Sequence, residues 1–404
     1  MRTYDEALEL LRGLQVPART ETLPVEHALG AVLAADVAAA SDQPPFDRAT
    51  MDGIAVQPGE RRAFRVVGSV MAGQRHEGGL AADEAVAIMT GAPVPGGCTV
   101  VPVEVVEREG EQARVSSDWD LGRVRNVALR GEDARAGAAV LHAGSRLSVA
   151  SLAAAAMAGA RQVEAWQPPR LGILTTGDEV GATGPAGIED SNGPLLAAFA
   201  GALGLPYERL HVADDEERMI DALRGLAARN EVVVTVGGVS MGERDLVPSA
   251  AEAVGLRTLL HRVAIQPGKP VLVCQAEDGR VLMGLPGNPV SVLATAHLFL
   301  APLLGRFLGG WEPQWLERPL AVPHRHRGKR RLFLPARLEA DGLHPIAWNG
   351  SGDLYAAAHG DGLIDLEAGG EWEAGASLRF LPYLGQGPGE RSLLPRDPSG
   401  GRVR

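Results

Sequence analysis

The sequence predicts a multidomain protein that combines an α/β domain built on a parallel sheet with a β-rich insertion and a small C-terminal β domain. Its 404 residues, 45% of them hydrophobic, are too many for one ordinary core. From Arg170 to Leu308, strand-like and helix-like segments alternate, which is typical of a parallel α/β layer. Short β-type runs between glycine- and proline-rich turns fill 41–144 and return after Trp311.

The individual elements follow from local patterns. Thr3 and Glu6 form a predicted capping box before an amphipathic helix. The predicted strands of the insertion are 64–67, 85–89, 100–107 and 138–141, and an Ala-rich helix follows at 148–159. In the α/β domain, strands are predicted at 171–175, 232–236 and 281–284. Helices are predicted at 194–203 and at 289–304, the latter with Asn288 as N-cap. A further helix is predicted to begin after Asp214, with Asp214 as N-cap and Glu217 as its capping partner.

These changes of pattern divide the chain into five predicted segments. Residues 1–40 together with 141–168 form a helical linking domain, 41–140 form the β-rich insertion, and 169–310 form the α/β domain. Residues 311–384 form the C-terminal β domain. Residues 385–404, rich in Gly, Pro, Ser and charge, are predicted to be a disordered tail.

Composition excludes several classes of function. A net charge of −11 and only 4% aromatic residues argue against a nucleic-acid binder. The two cysteines, Cys98 and Cys274, predict neither a disulfide framework nor a cysteine metal cluster. Charged residues interrupt the first ten positions, and the apolar stretch 149–160 is too short for a membrane span, so we expect a cytoplasmic protein that does not bind membranes.

Three predicted strands of the α/β domain end in polar or glycine-rich loops, at 175–179, 237–242 and 285–289. Ligands of open parallel sheets bind beyond the carboxyl ends of the strands. Gly237 and Gly238 let backbone amides approach a phosphate, and the helix that begins at Pro289 presents its positive end. Each glycine turn alone is a weak signal because such turns occur in every α/β protein, but three on one edge predict an anion site.

Carboxylates lie in or near the same loops, namely Glu179, Asp214, Asp215 and Asp245. A carboxylate beside a phosphate is unfavourable unless a cation lies between them, and Mg²⁺ is held by carboxylates together with phosphate oxygens. We therefore predict Mg²⁺ at Glu179 and Asp245. Asp214 could instead be only a helix cap, and Asp178 only a turn residue.

The remaining candidates are weaker on physical grounds. Lys269 stands between two prolines in a rigid loop and is either a positioned charge or a solvated lysine. The basic run 324–331 is either a solvated face or a site for a small oxyanion, with Ser351 as a possible donor. Asp52 and Thr90 lie in segments that could equally be simple turns.

Short strings spread over nearly the whole chain resemble the molybdopterin molybdenumtransferase family, to which the E domain of the scaffold protein gephyrin belongs. The matching strings lie at 45–47, 51–53, 90–92, 131–133, 176–179, 190–192, 237–242 with Asp245, 267–270 and 285–291. The resemblance implies an elongated, four-domain homodimer with an active-site cleft shared between subunits. It also implies that the α/β domain is similar to molybdopterin adenylyltransferase, which is the expected upstream partner.

The resemblance also implies roles for individual residues. It assigns catalysis to Asp52, Glu179, Asp245 and Lys269, and metal binding to Glu179 and Asp245. Substrate binding falls to Thr90, Asp133, Thr176, Gly177, Asp214, Asp215, Gly237, Gly238, Ser240, Pro286, Gly287, Asn288 and Pro289, with Arg330 and Ser351 at the oxyanion. The sequence departs from the family pattern at Gln266, where many members have lysine, and at Gly193, where arginine is common.

The implied reaction inserts molybdenum from molybdate into molybdopterin-AMP, with Mg²⁺ as cofactor and with release of AMP. Two alternatives stay open at this stage. The chain could be an adenylyltransferase, although that enzyme needs only the α/β part, or a non-catalytic scaffold of the gephyrin type, although a scaffold has no use for the carboxylates.

Overall fold

A computed structural model describes residues 1–181, 187–238 and 246–385. The chain divides into two compact units. The larger unit comprises Met1–Glu21, Gly30–Val32 and Ala165–Arg404, and the smaller unit comprises Thr22–Leu29 and Leu33–Glu164. The finer division into five segments stays a prediction.

The larger unit is built on a six-stranded central sheet. In spatial order its strands are Tyr207–Val212, Leu171–Thr176, Val232–Val236, Val281–Leu285, Leu272–Gln275 and Arg257–His261. The first four are parallel, as predicted, but the last two run antiparallel. The prediction of an α/β domain built on parallel strands is confirmed, because the three predicted strands, 171–175, 232–236 and 281–284, pair in parallel. The connection between Leu272–Gln275 and Val281–Leu285 is too short for the crossover that a parallel pair requires.

Helices pack on both faces of the central sheet, where two clusters of buried apolar residues form the core. The helices are Tyr4–Gly13, Asn192–Leu203, Glu216–Arg229, Leu246–Ala253, Pro289–Thr295 and Ala301–Phe307, with a π-helical segment at Ala296–Leu300 between the last two. The capping box of Thr3 and Glu6 is confirmed. The predicted cap at Asp214 is wrong, because Asp215 occupies that position and accepts the Arg218 backbone N–H.

The continuous helical segment Pro289–Phe307 is long and apolar enough to cross a membrane. However, 89% of it is buried inside the protein, as is typical of a core helix. Within the described residues, this segment is therefore weak evidence for a membrane span.

A second sheet of the larger unit contains the C-terminal strands. Its strands are, in spatial order, Ile265–Gln266, Arg331–Glu339, Gly362–Leu366, Ser377–Pro382 and Leu316–Pro319, and Gly342–Pro345 pairs with Arg331–Glu339. A strand pair of His324–Arg325 with Glu371–Trp372 and a short helix at Leu354–Ala357 complete this region. Ile265 pairs in parallel with Arg331, which joins the loop after Gln266 to the start of a C-terminal strand.

The smaller unit is β-rich, as predicted, and its six-stranded sheet separates two apolar clusters. In spatial order the strands are Thr99–Pro102, Gly53–Val56, Glu84–Ile88, Ala63–Val70, Gln112–Val115 and Val106–Glu109. The single strand predicted at 100–107 is wrong, because the 3-10 turn Val103–Val105 interrupts it. Other elements of this unit are the pairs Val37–Ala38 with Ala139–Leu141 and Arg48–Ala49 with Val127–Ala128, the turn Val25–His27 and helix Val149–Met157. The strands Thr20–Pro24 and Gln162–Trp166 have residues in both units.

Candidate functional site

The carboxyl ends of the parallel strands converge through direct contacts. Thr176 ends its strand, and its hydroxyl donates a hydrogen bond of 2.5 Å to Asp214 Oδ1. The Asp214 backbone N–H in turn donates to Asp178 Oδ1 at 3.0 Å. These two hydrogen bonds hold Asp214 at the sheet edge, where it does not cap the helix that follows.

The next two strand ends lie against the first. Gly237 has a φ of +90°, and a Cβ at this position would lie only 3.1 Å from Thr176 Cγ2 and 3.2 Å from the Thr176 carbonyl oxygen. The Gly237 N–H donates to the Leu285 carbonyl, and a Cβ on Gly287 would lie 4.0 Å from Gly237 Cα. A side chain at Gly237 would therefore separate loops that the structure brings together.

The other predicted residues of this edge are placed less completely. Gly177 is buried with a φ of +135°, and a Cβ there would lie 2.8–2.9 Å from the carboxylate of Glu179, whose side chain is otherwise exposed. Gly238 follows Gly237 with a φ of +62°. Asp215 is occupied as a helix cap. Ser240 and Asp245 lie outside the described residues. We call the segments 176–179 and 286–289, together with Asp214, Gly237 and Gly238, the strand-end loops.

The last of these loops connects the sheet edge to a neighbouring pocket. Asn192 Nδ2 donates to the Gly287 carbonyl at 2.8 Å, on the side of the sheet edge. Asn288 Nδ2 donates to Ser351 Oγ at 2.9 Å, on the side of the pocket. Asn288 occupies the N-cap position before Pro289, as predicted, but its side chain makes no capping hydrogen bond to the helix. The Val290 N–H donates to the Ser351 carbonyl at 3.0 Å, so both the side chain and the main chain of Ser351 are hydrogen-bonded to the start of this helix.

The pocket itself has a volume of about 360 Å³ and contains two of the predicted cations, Lys269 and Arg330. Arg330 donates one guanidinium N–H to the Ile265 carbonyl at 2.9 Å and retains further donors. Among the described residues that line this pocket, none carries a carboxylate. The lining is Gln266, Pro267, Gly268, Lys269, Pro270, Pro286, Asn288, Ser291, Arg330, Trp348, Gly350 and Ser351. We call it the cationic pocket.

The loop that carries Lys269 has a restricted backbone. The Gln266–Pro267 peptide bond is cis, and Gly268 has a φ of +100°. A Cβ on Gly268 would collide with the side chain of Thr295, which is buried in the helix behind the loop. Two prolines and this close approach hold the loop against the helix, while the Lys269 side chain remains exposed.

Two predicted residues form a pair in the smaller unit. The backbone N–H and the hydroxyl of Thr90 both donate to Asp52 Oδ1, at 2.6 and 2.7 Å. These hydrogen bonds lower the pKa of the Asp52 carboxyl, the backbone bond contributing most. Asp52 is therefore a fixed, exposed carboxylate. Asp133 is also exposed, and its backbone N–H donates to the Gln43 carbonyl at 2.9 Å.

Sequence reasoning missed some lining residues of the cationic pocket. Gln266 was singled out only as a departure from a pattern, and Ser291 and Trp348 were not singled out as site residues. Asn192 belongs to a matching string, 190–192, so that string carried a usable signal. Trp348 carried none, because nothing local shows that it faces a lysine and an arginine distant in sequence.

Three family descriptions together match most of the chain. Residues 2–159 match "MoeA N-terminal region (domain I and II)", and residues 172–306 match "Probable molybdopterin binding domain". Residues 317–383 match "MoeA C-terminal region (domain IV)".

Similar proteins carry one name. A molybdopterin molybdenumtransferase of Synechococcus elongatus is 35% identical over 84% of this chain and 89% of its own length. One of Staphylococcus epidermidis is 29% identical over 90% of this chain and 91% of its own length. The crystal structure of a molybdopterin biosynthesis moeA protein from Pyrococcus horikoshii has a TM-score of 0.79 at 25% identity, covering 95% of this chain and 100% of that one.

Proposed function

The chain belongs to the molybdopterin molybdenumtransferase family and is a transferase, and from this premise we propose that it inserts molybdenum from molybdate into molybdopterin-AMP with release of AMP. The observation that carries the proposal is the hydrogen bond from Asn288 to Ser351. It joins the strand-end loops, which suit a phosphate, to the cationic pocket, which suits a small oxyanion. Two ligands of these classes could therefore lie side by side.

The cationic pocket fits molybdate in charge and size. Molybdate is a dianion, and Lys269 and Arg330 together supply two positive charges. Ser351 Oγ already accepts from Asn288, so its own proton is free to be donated to an oxyanion. The volume of about 360 Å³ leaves room for the end of a second substrate beside the ion.

The strand-end loops would hold the pyrophosphate of molybdopterin-AMP. Gly237 and Gly238 allow backbone amides to approach phosphate oxygens, and the helix after Pro289 directs its positive end to the same region. Asp214 contributes a carboxylate already oriented by Thr176. Pro286 and Asn288, which line the cationic pocket, and Gly287, which accepts from Asn192, would contact the substrate between the two sites.

The donors present at the sheet edge fit Mg²⁺, because Glu179 offers an exposed hard oxygen ligand in the same loop as Thr176. Glu179 would hold the ion, and we assign Asp245 to it as the second ligand. When bound, Mg²⁺ would neutralise charge that develops on the phosphate oxygens.

In the proposed reaction, an oxygen of molybdate or of water attacks a phosphorus atom of the pyrophosphate. The bond from that phosphorus to the bridging oxygen breaks and AMP leaves. Two Mo–O bonds of molybdate are replaced by two bonds to the dithiolene sulfurs; the departing oxygens leave as water after taking up protons or stay on the attacked phosphorus, and the oxidation state of molybdenum does not change. Lys269 and Arg330 stabilise the negative charge, and Asp52, Thr90 and Asp133 would act in the cleft of a homodimer. We further propose a cytoplasmic location and molybdopterin adenylyltransferase as the upstream partner.

The test is to incubate the purified protein with molybdopterin-AMP, Mg²⁺ and molybdate, and to measure both AMP and molybdenum cofactor. We expect both products, and neither cofactor nor stimulated AMP release when molybdate is omitted. Adenylylation of molybdopterin by ATP would indicate the adenylyltransferase instead. Absence of both reactions, with capture of a protein partner, would indicate a scaffold.

A further inference from the structure

The residue after Arg330 is a second arginine whose guanidinium is fully engaged away from the cationic pocket. Arg331 makes a bidentate ion pair with Asp365, with Nε to Oδ1 at 2.6 Å and Nη2 to Oδ2 at 2.7 Å. The side chains are only 14% and 4% exposed, respectively. Arg331 Nη1 also donates to Asp5 Oδ2 at 2.9 Å, and its guanidinium lies 5.0 Å from the Tyr4 ring centre.

This ion pair determines where Arg330 can point. Arg331 begins the strand Arg331–Glu339, and Arg330 lies in the bend directly before it, so the two arginines share one short stretch of main chain. Arg331 also pairs with Ile265 across the parallel ladder, and Ile265 gives its carbonyl to Arg330 Nη1. The two guanidinium groups therefore have different partners: Arg331 is held by Asp365, whereas Arg330 donates to Ile265 and lines the cationic pocket.

The backbone of Arg330 has an anchor of its own. His326 is 7% exposed, and its Nε2 donates to the Arg330 carbonyl at 2.7 Å. The His326 backbone N–H donates to the Gly370 carbonyl at 2.9 Å. The main chain on the N-terminal side of the strand is thereby fixed independently of the Arg331 side chain.

We propose that Arg331, Asp365 and His326 form a positioning clamp that orients the Arg330 guanidinium for the oxyanion in the cationic pocket. The inference rests on the proposed function, because it assumes that this pocket binds molybdate. The three residues touch no substrate; they are positioning residues. A preorganised guanidinium binds a tetrahedral oxyanion more tightly because less side-chain freedom is lost on binding.

Electrostatics and positioning give opposite signs for one substitution. Asp365→Asn removes the negative charge that pairs with Arg331, the residue next to Arg330, so long-range electrostatics alone would tighten the binding of an anion. The positioning clamp predicts the reverse, because Arg331 loses its bidentate partner and Arg330 loses its fixed direction. A purely structural role would alter unfolding but would leave the affinity of the folded protein for molybdate unchanged.

The experiment is calorimetric titration of the full chain with molybdate, and separately with AMP. For Asp365→Asn we expect the Kd for molybdate to rise about tenfold, with the Kd for AMP unchanged. Glu208→Gln is the control, because it breaks another bidentate pair, that of Glu208 with Arg229, on an edge strand of the central sheet. It should leave both constants unchanged.

Equal or tighter molybdate binding by Asp365→Asn would overturn the clamp. Should that variant fail to fold, Arg331→Lys decides, since it keeps the charge but loses the bidentate geometry; its Kd for molybdate should rise several-fold, and an unchanged value would overturn the clamp. Failure of the unaltered protein to bind molybdate would instead defeat the proposed function, and the clamp with it.

Discussion

The strand-end loops and the cationic pocket are neighbours in the larger unit but are built in different ways. The strand-end loops follow consecutive strands of one sheet, and their charged side chains, such as Glu179 and Asp214, are acidic and exposed. The cationic pocket is assembled from four remote stretches of chain, around Lys269, Asn288, Arg330 and Ser351. The first region suits a phosphate bridged by a cation, whereas the second suits a free dianion.

This difference indicates a division of labour that substitutions can separate. If the two regions bind different ligands, changes in one should leave binding in the other intact while lowering the rate of the whole reaction. Only changes to the elements that support both regions should affect them together. The Pro289–Phe307 segment is such an element, since its first turn adjoins Asn288 and its body forms the core.

The largest expected effect concerns this shared segment. His297 is fully buried, with Nδ1 donating to the Leu293 carbonyl at 2.7 Å and Nε2 accepting the Leu384 N–H at 2.9 Å. Burial lowers its pKa from 6.5 to about 4, although the hydrogen bond to Leu293 opposes the shift. The neutral form therefore stabilises the fold. That stability is complete above the unfolded pKa, declines as the pH falls from about 6.5 to about 4, and amounts to roughly 3 kcal/mol.

Urea unfolding at a series of pH values between 7 and 4 measures this loss. Because many carboxylates titrate in the same range, the informative quantity is the difference between the unaltered protein and His297→Gln. The variant should be less stable at pH 7 but should lose roughly 3 kcal/mol less on acidification. If both proteins lost the same free energy of unfolding on acidification, the titration of His297 would not contribute to the stability of this segment.

Removal of a pocket cation should affect one ligand only. Arg330→Ala should raise the Kd for molybdate about tenfold to a hundredfold, since charge-assisted hydrogen bonds contribute about 1.5–3 kcal/mol. The Kd for AMP should not change. Arg337→Ala is the control, because Arg337 lies on the same strand, Arg331–Glu339, and does not line the pocket. A comparable loss of AMP affinity in Arg330→Ala would mean that the two regions form a single site.

Glu179→Gln tests the role of the strand-end loops in binding Mg²⁺. The variant should bind AMP with unchanged affinity. At a given Mg²⁺ concentration, however, it should cleave molybdopterin-AMP to AMP at least about tenfold more slowly, because the neutral amide is a poorer magnesium ligand. Steady-state rates over a range of Mg²⁺ concentrations measure this effect. Glu189→Gln, another exposed carboxylate nearby in sequence, should behave as the unaltered protein. Full activity of Glu179→Gln would remove Glu179 from the metal site.

The smallest expected effect is a gain. Gln266 lines the cationic pocket, so Gln266→Lys adds a third positive charge to the two of Lys269 and Arg330. We expect molybdate to bind about fivefold more tightly, which corresponds to about 1 kcal/mol for a solvent-accessible charge. Titration at low and high salt measures it, and the gain should shrink at high salt. An unchanged affinity would place the oxyanion away from Gln266.

The two regions also differ in how far the sequence predicts them. The strand-end loops were predictable because parallel strands place their carboxyl ends together, so Thr176, Gly237 and Gly287 were expected to meet. Asp214 shows the limit: two adjacent aspartates can each be the helix cap, and the choice depends on the hydroxyl of Thr176, which only the fold brings close. The antiparallel edge of the central sheet was missed because neither of its strands, Arg257–His261 and Leu272–Gln275, was predicted.

The cationic pocket was predicted only in part from the residues themselves. The basic run 324–331 with Ser351 indicated either a solvated face or a site for a small oxyanion, and only the resemblance to a family singled out Arg330. Arg330 lies in a run of basic residues that could have been a solvated face, and its neighbour Arg331 has the same chemistry but points elsewhere. Which arginine faces the pocket depends on the ladder between Ile265 and Arg331, a contact between residues 66 positions apart. Long-range pairings of this kind leave no local signature.

The most direct test of the division of labour is the molybdate dependence of AMP release from molybdopterin-AMP at saturating Mg²⁺, compared between the unaltered protein and Arg330→Ala. If the cationic pocket binds molybdate beside the strand-end loops, release will depend on molybdate in both proteins, and the variant will need about tenfold to a hundredfold more molybdate for half its maximal rate. Release that is independent of molybdate, or identical molybdate curves for the two proteins, would contradict it.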